Sequence, residues 1–246
     1  MKMKIMALLA LLILILFSQI DIVNAGIQIN SNARKGETFL SNTIVHYIIT
    51  DPAGRKLGYD PLSDKNYNDF PKGGGSYGDG GIDDTWSAEA IISPADGNYT
   101  IEIIGDSLME FSIEVAISWS IISEGMINFN FRGLTDKGLT SKFEMTYNSG
   151  PSKPAGSVVR VASLSSLKQD IALSRKIGWI DNDGIMMSLY KKAEAIEKSL
   201  ARDDKNTAKN QLDALINEVN AQKGKHIKDE AIKILLEDAQ YLMEHL

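Results

Sequence analysis

Residues 212–227 read LDALINEVNAQKGKHI, and this stretch decides the fold of the C-terminal third of the chain. Its apolar side chains recur every three or four residues, which places them on one face of an α-helix. Gly224 follows the last of them, between Lys223 and Lys225. A glycine here can adopt the left-handed conformation that ends a helix, and the lysines suit the negative helix end. The helix is therefore predicted to end near Gly224 with one face buried.

Three neighbouring stretches show the same apolar period. One begins at Asp229, a second runs from Ile185 to Leu200 behind the N-cap candidates Asn182 and Asp183, and a weaker one covers residues 164–177. Helices with a single apolar stripe must bury it against one another. A small bundle of three to four helices is therefore predicted over residues 159–246.

Three segments of this region resemble one known family: GWIDNDGI at 178–185, LDALINEVNAQKGKHI at 212–227 and EDAQYLMEHL at 237–246. They are similar to the FIMAH domain, a small helical domain found at the C-termini of secreted bacterial proteins. The resemblance implies a helical accessory domain and supplies no catalytic residues. One departure is Lys228, where the family usually has serine or a similar capping residue, so the resemblance leaves the last helix without its usual cap.

The first residues have the pattern of a secretory signal peptide. Lysines at positions 2 and 4 precede an apolar run over residues 5–17, and Val23, Asn24 and Ala25 form a small-residue cleavage pattern. The alternative is a membrane anchor, but the run is shorter than the roughly 20 residues that span a bilayer. Residues 1–25 are predicted to be a signal peptide cleaved after Ala25, and the protein to be secreted, as an extracellular, cell-surface or periplasmic protein.

Composition narrows the partners of the exported chain. The full sequence has 246 residues, no cysteine, and 26 basic against 32 acidic residues, for a net charge of −6. Each domain must therefore be stable without disulfides, and an acidic surface disfavours nucleic acid or an anionic membrane as partner. No later apolar stretch is long enough for a transmembrane helix in the mature chain.

In the N-terminal half the apolar period changes from 3.6 to 2. β-Branched or aromatic runs are separated by turn signals that contain Gly, Pro and Asp. These runs lie at residues 43–49, 89–92, 99–104, 111–117, 126–131 and 142–147. About seven or eight short strands without intervening helices indicate an immunoglobulin-like antiparallel β-sandwich over residues 26–148.

This half also resembles a sandwich domain of bacterial secreted and surface proteins. The similarity is carried by IITDPAGRKLGYDP at 48–61, SYGDGGIDD at 76–84 and ISPADGNYTIEIIG at 92–105, in that order. It implies an accessory module without a known active site. Residues 149–158, rich in Pro, Gly and Ser, are predicted to be an extended linker. The fold class is therefore two-domain, an all-β module followed by an all-α module.

Six aspartates lie among glycines between positions 60 and 84, and two interpretations of them remain open. Carboxylates on a glycine-rich loop are typical calcium ligands, and Asp79, Asp83 and Asp84 are the candidates. The alternative is a solvated loop whose aspartates take turn positions. No other cofactor is predicted. Residues 181–184, DNDG, are similar to the start of an EF-hand loop, but Ile185 stands where a ligand is required, which favours a helix cap.

Aromatic residues flank the same loop, and the candidates for a ligand platform are Tyr59, Tyr77 and Trp86. The alternative is that they are core residues, which is also the interpretation of Trp119 and Trp179. The three histidines have no motif neighbours, and neither a nucleophile elbow, a zinc-protease motif nor a phosphate-binding loop occurs.

These features favour a non-catalytic secreted or surface-associated protein that binds an extracellular polysaccharide or protein. Two alternatives remain. One is a secreted hydrolase in which two loop aspartates act as acid and base. The other is a structural subunit of the cell envelope or matrix.

Overall fold

The computed structural model describes residues 26–34, 46–71, 75–79, 86–92, 94–118, 126–149 and 156–246. Within them the chain forms an N-terminal β-sheet region followed by C-terminal helices. The strands are β1 Gly26–Arg34, β2 His46–Thr50, β3 Lys56–Asp60, β4 Lys65–Asn68, β5 Gly75–Asp79, β6 Trp86–Ile92, β7 Gly97–Ile104, β8 Met109–Ser118, β9 Met126–Thr135, β10 Thr140–Tyr147 and β11 Gly156–Val161. The helices are α1 Leu164–Lys176, α2 Asp183–Leu200, α3 Lys205–Ala221 and α4 Asp229–His245.

The strands build two sheets whose pairs are all antiparallel. One sheet has the order β5-β6-β1-β8-β9, and the other has the order β11-β10-β7-β2-β3-β4. Alternate side chains of both sheets point into one shared core, as a β-sandwich requires. Fully buried members from the two sheets include Ile29, Tyr47, Ile49, Ile101, Phe111, Val115 and Phe143. The predicted combination of a β domain and a helical domain is confirmed, although the sandwich has more strands than the sequence pattern predicts.

The DPAGR segment forms the turn between β2 and β3. The Asp51 side chain is fully buried and accepts backbone hydrogen bonds from Ala53 at 3.0 Å and Arg55 at 2.8 Å. Its second oxygen accepts from the Arg55 guanidinium, which lies 4.8 Å above the Phe70 ring. Gly54 takes a left-handed φ of 81°. The DPAGR motif is therefore a structural turn in this chain.

The helices begin and end largely where the sequence predicts. Asn182 caps α2 by accepting from the Ile185 backbone N–H at 3.1 Å, so DNDG is a helix cap. The helix α3 ends at Ala221, and Gly224 has a φ of 67°. Lys228 at the start of α4 makes no side-chain capping hydrogen bond. The apolar stripes of the four helices form one core, into which Trp179 is packed.

The structure differs from the prediction at the boundary between the modules. Residues 149–158 are predicted to be linker, yet Gly156–Val161 forms β11 and pairs with β10 along its whole length. The sheet therefore continues to Val161, three residues into the predicted bundle. The reason is that SVVRV is a β-branched run, and it immediately follows the Pro- and Gly-rich composition from which a linker is predicted.

The helical module packs on one end of the sandwich. Helices α1 and α4 contact β9, and α4 also contacts β11. Leu134 from β9 is a buried member of the helical core, and Leu108 and Leu139 from two sandwich turns are partly buried against it. Apolar side chains of both modules are therefore removed from water in the same interface, which couples the two modules energetically.

Candidate functional site

Strand registers bring several of the predicted site residues to one corner of the sandwich. In one sheet, Trp86 at the start of β6 and Asp79 at the end of β5 lie at the same end of the sheet as Thr135 of β9. In the other sheet, Asp60 of β3 lies at the same end as Val161 of β11. The helices pack against this end of both sheets, and β3 contacts β5 across the sandwich. We call residues 59–65 with the end of β5 and the start of β6 the β3–β5 corner.

Tyr59 is half-buried at this corner. Its hydroxyl donates to Asp64 Oδ1 at 2.8 Å, and its ring meets the edge of the His46 ring at a centroid distance of 4.8 Å. The hydrogen bond to the Asp64 carboxylate raises the pKa of Tyr59. Gly58, with a φ of 129°, precedes it and lies so close to the Tyr47 carbonyl that a side chain would not fit. The ring and hydroxyl of Tyr59 therefore have a defined orientation.

The turn after Tyr59 is held by its own carboxylates. Asp60 accepts from the Leu62 backbone at 2.9 Å and from the Ser63 hydroxyl at 2.6 Å, and the Ser63 bond lowers the pKa of Asp60. Asp64 has a left-handed φ of 53°. These contacts keep the apolar Leu62 side chain exposed at the tip, at 54% of its full surface.

A cationic aromatic cluster lies beside the corner on β3 and β4. The ammonium groups of Lys56 and Lys65 lie 5.2 Å and 4.4 Å from the Tyr67 ring centroid, within the range of cation–π attraction. Tyr67 pairs across the sheet with Gly58, which has no side chain that could cover the Tyr67 ring. This face of the hairpin therefore offers charge and aromatic surface together.

The remaining predicted site residues have the following positions. Tyr77 pairs with Glu89 on β6, Asp79 pairs with Ser87, and Trp86 pairs with Asn32 on β1. Asp83 and Asp84 lie outside the described residues, as does Trp119. Asp69, another of the loop acids, accepts from the Lys56 backbone at 2.9 Å. The carboxylates of Asp60, Asp64 and Asp69 therefore accept hydrogen bonds that hold the local structure. The calcium site at Asp79, Asp83 and Asp84 stays a prediction.

Among the residues that the structure describes, no group of three or more His, Asp or Glu side chains is arranged to hold a metal ion. None of the described helices is long and apolar enough to cross a membrane.

A second polar site is buried between the modules, and sequence reasoning missed it. Arg160 on β11 donates through Nη2 to Asp170 Oδ2 on α1 at 2.5 Å and through Nε to Asp238 Oδ1 on α4 at 2.9 Å. Its Nη1 donates to the Arg132 carbonyl of β9 at 3.2 Å. All three charged side chains are at most 5% exposed. We call Arg160, Asp170 and Asp238 the junction cluster.

A signal for this cluster is present in the sequence. Asp170 lies between Leu167 and Ile171 on the apolar stripe of α1, and Asp238 lies between Leu235 and Ala239 on that of α4. A carboxylate on a buried helix face needs a cationic partner, and Arg160 lies in the β-branched run of β11. A cleft of about 260 Å³ opens beside the cluster, lined by Lys142, Ser166, Gln169 and parts of Arg160 and Asp170.

Two of the three segments that carry the FIMAH resemblance, 178–185 and 212–227, meet at one end of the bundle. The Asp181 backbone donates to the His226 carbonyl at 3.1 Å, and the Lys228 backbone donates to the Trp179 carbonyl at 2.9 Å. His226 Nδ1 lies 2.8 Å from Asp181 Oδ1. Residues 164–244 match the family model of the FIMAH domain. The match begins at the first residue of α1 and ends one residue before the end of α4.

The helical module defined by the structure and the FIMAH match therefore coincide. The match does not include the sandwich or β11. No curated protein and no solved structure matches the chain. Asp170 and Asp238 lie inside the FIMAH match, whereas their partner Arg160 lies outside it, so the junction cluster joins the FIMAH region to the module that precedes it.

Proposed function

We propose that the chain is a secreted, non-catalytic accessory protein of bacterial origin that binds an extracellular polysaccharide or protein through the β3–β5 corner. The observation that carries the proposal is the convergence at this corner of Tyr59, the backbone positions of Asp79 and Trp86, and the exposed Leu62. Aromatic and apolar groups with a few fixed polar atoms are typical of ligand contacts.

Export is supported by the pattern of the first residues, in which a basic start and an apolar run are followed by Val23, Asn24 and Ala25. The FIMAH match supports an accessory role, because the resemblance implies a domain that accompanies others.

The helical module has a separate role in this proposal. It covers the β9 and β11 side of the helix-bearing end, whereas the corner lies at the β3 and β5 side. The module can therefore attach to a surface or a second domain while the corner remains accessible. Arg160 and its two carboxylates fix the orientation of one module relative to the other.

The binding experiment uses residues 26–246 on a glycan array and in pull-downs from cell-wall fractions. Tyr59→Ala and Trp86→Ala are expected to weaken retention about tenfold or more, which corresponds to about 1.4 kcal/mol. Tyr241→Ala is the matched control, because Tyr241 is an aromatic residue on α4 that stacks on His245. Blank arrays and pull-downs, or an equal loss in the control, contradict the proposal. Hydrolysis that Asp83→Ala and Asp84→Ala abolish indicates an enzyme instead.

Calcium in the glycine-rich loop is tested separately by thermal unfolding with calcium or with a chelator. A cation that binds only the folded chain must raise the melting temperature. If Asp79, Asp83 and Asp84 are its ligands, the Asp83→Asn and Asp84→Asn variants lose this increase, whereas Asp69→Asn retains it because Asp69 is bonded to β3. Equal melting temperatures in both buffers identify a solvated loop.

A further inference from the structure

The junction cluster has more buried acid than base. Arg160 carries one positive charge and contacts two carboxylates, those of Asp170 and Asp238. Glu237, next to Asp238 on α4, adds a third acid that is also electrostatically coupled to Arg160. Lys233 reaches Glu237 only at 3.9 Å and is half-exposed. With every acid ionised, the centre of the interface therefore has a net negative charge.

Two buried oxygens in this region have no donor among the described residues, Asp238 Oδ2 and Glu237 Oε2. An ionised carboxylate oxygen without a donor is costly away from water. A proton on Asp238 removes one of the excess negative charges and turns an acceptor into a donor. The geometry is that of two carboxylates held by one guanidinium, in which the like charges disfavour the ionised form of Asp238.

We propose that the junction cluster is a pH-sensitive coupling: a proton on Asp238 keeps β11 closed on α1 and α4, and its release to solvent loosens the helical module from the sandwich. The coupling is independent of the ligand at the β3–β5 corner. It requires no cofactor, because the step is the loss of one proton from a carboxylic acid to water.

The direction of the pH effect follows from the electrostatics. Burial and the neighbouring Asp170 raise the pKa of Asp238 well above its usual value, although Arg160 opposes the shift. Burial also raises the pKa of Glu237. An acid with a raised pKa in the folded state stabilises the fold fully below its unfolded pKa, and this contribution is lost as pH rises through the folded pKa.

Several other charged groups on the packed elements are already paired. Arg132 of β9 contacts Glu110 of β8 at 3.6 Å, and Lys142 of β10 contacts Glu144 at 3.5 Å. At the rim, Lys176 of α1 bonds Asp136 at 2.5 Å and lowers the pKa of Asp136. The rim pair therefore has the opposite pH dependence, since its stabilisation is lost as pH falls through the folded pKa of Asp136.

The test is hydrogen exchange of the β11 and α4 amides in the full chain, read by mass spectrometry between about pH 4 and pH 8, with Asp238→Asn as comparison. The amide in Asp238→Asn approximates the protonated side chain, and comparison at equal pH cancels the intrinsic exchange rate. The ratio of opening in the wild type to opening in the variant is expected to grow by up to about tenfold per pH unit between the ordinary pKa of an aspartate and the raised pKa of Asp238 in the folded chain, and to level off above the raised pKa, because opening releases one proton only in that window.

Two further variants make the result decisive. Asp170→Asn also leaves one carboxylate for Arg160, and it is expected to remove the same pH dependence, so the test survives if Asp238→Asn does not fold. Asp136→Asn is the control at the rim: because the Lys176 bond lowers the pKa of Asp136, its comparison with the wild type is expected to stay constant above about pH 4. A ratio that stays constant across the pH range for both cluster variants overturns the proposal.

Discussion

At the scale of single residues, the most distinctive sequence motif of the sandwich has a structural explanation. Asp51 anchors the turn, Arg55 closes it against Phe70, and Gly58 passes close to the Tyr47 carbonyl. Each position therefore meets a backbone requirement. The motif contributes to the β3–β5 corner only indirectly, because it fixes the position of β3, from which Tyr59 projects.

Gly58 and Gly54 form a matched pair for testing this explanation. Both have positive φ, but a Cβ on Gly58 would lie 2.0 Å from the Tyr47 carbonyl oxygen, whereas nothing lies within 4 Å of one on Gly54. We expect Gly54→Ala to lower the free energy of unfolding by about 1 kcal/mol through conformation alone. Gly58→Ala is expected to cost more, on the order of 3 kcal/mol or above, because strain and a steric clash combine. Equal losses of unfolding free energy in the two variants, measured by urea denaturation, would contradict the close approach of Gly58 to the Tyr47 carbonyl.

Lys228 is the one FIMAH position where the sequence predicts a defect, and the defect is present. Its backbone is extended, with φ −70° and ψ 155°, yet its side chain makes no capping hydrogen bond to α4. Lys228→Ser is expected to raise the free energy of unfolding by about 1 kcal/mol, measured by urea denaturation. The reference variant is Ser163→Ala, which removes an existing cap bond to Ser166 and is expected to lose a similar amount. If Lys228→Ser does not raise the free energy of unfolding, the missing cap does not limit the stability of α4.

At the scale of elements, the sequence predicts the helices well and the strands unevenly. The helices are recovered because each has one apolar stripe and a local start or stop signal, such as Asn182 or Gly224. β1 has no such signal, since GIQINSNAR is mostly polar, and it becomes a strand through pairing with distant β6 and β8. β11 is hidden by the linker composition before it. Strands that depend on remote partners cannot be found from local pattern.

The functional sites follow the same division. The sequence predicts Tyr59, Tyr77 and Trp86 as a platform around the loop that contains Asp79, and the strand registers bring Tyr59, Asp79 and Trp86 to one corner. The junction cluster joins Arg160 to Asp170 and Asp238, and Asp238 is 78 residues away from Arg160 in the sequence. Asp170 and Asp238 each lie on an apolar helix stripe, but the local sequence does not identify Arg160 as their common partner. Their burial is a property of the interface between β11, α1 and α4.

Replacement of Arg160 is predicted to destabilise the interface between the modules strongly. Arg160→Met leaves two carboxylates buried without a cation, which is expected to lower the free energy of unfolding by roughly 3–5 kcal/mol near neutral pH. Urea denaturation measures it. The control is Arg175→Met, which removes the exposed pair with Asp183 on the same helical module and is expected to have little effect. A small loss of unfolding free energy in Arg160→Met would mean that the Arg160 cation does not stabilise the interface.

At the scale of the whole molecule, the two modules are separate in fold but not in stability. The helices have their own core, yet Leu134, Leu108 and Leu139 of the sandwich pack into it. β11 reaches the helices only because it is paired with β10. Two modules that share buried apolar surface and a buried ion cluster are expected to unfold together.

Residues 163–246 expressed alone test how far this coupling goes. The fragment is expected to be helical by circular dichroism, because α1 to α4 bury their stripes against one another. Its melting temperature is expected to lie below that of residues 26–246 at the same pH, since the fragment lacks Leu134 and leaves Asp170 and Asp238 without Arg160. Residues 156–246 should recover little of the loss, because β11 has no β10 to pair with. A fragment as stable as the full chain would show that the interface orients the helical module without stabilising it.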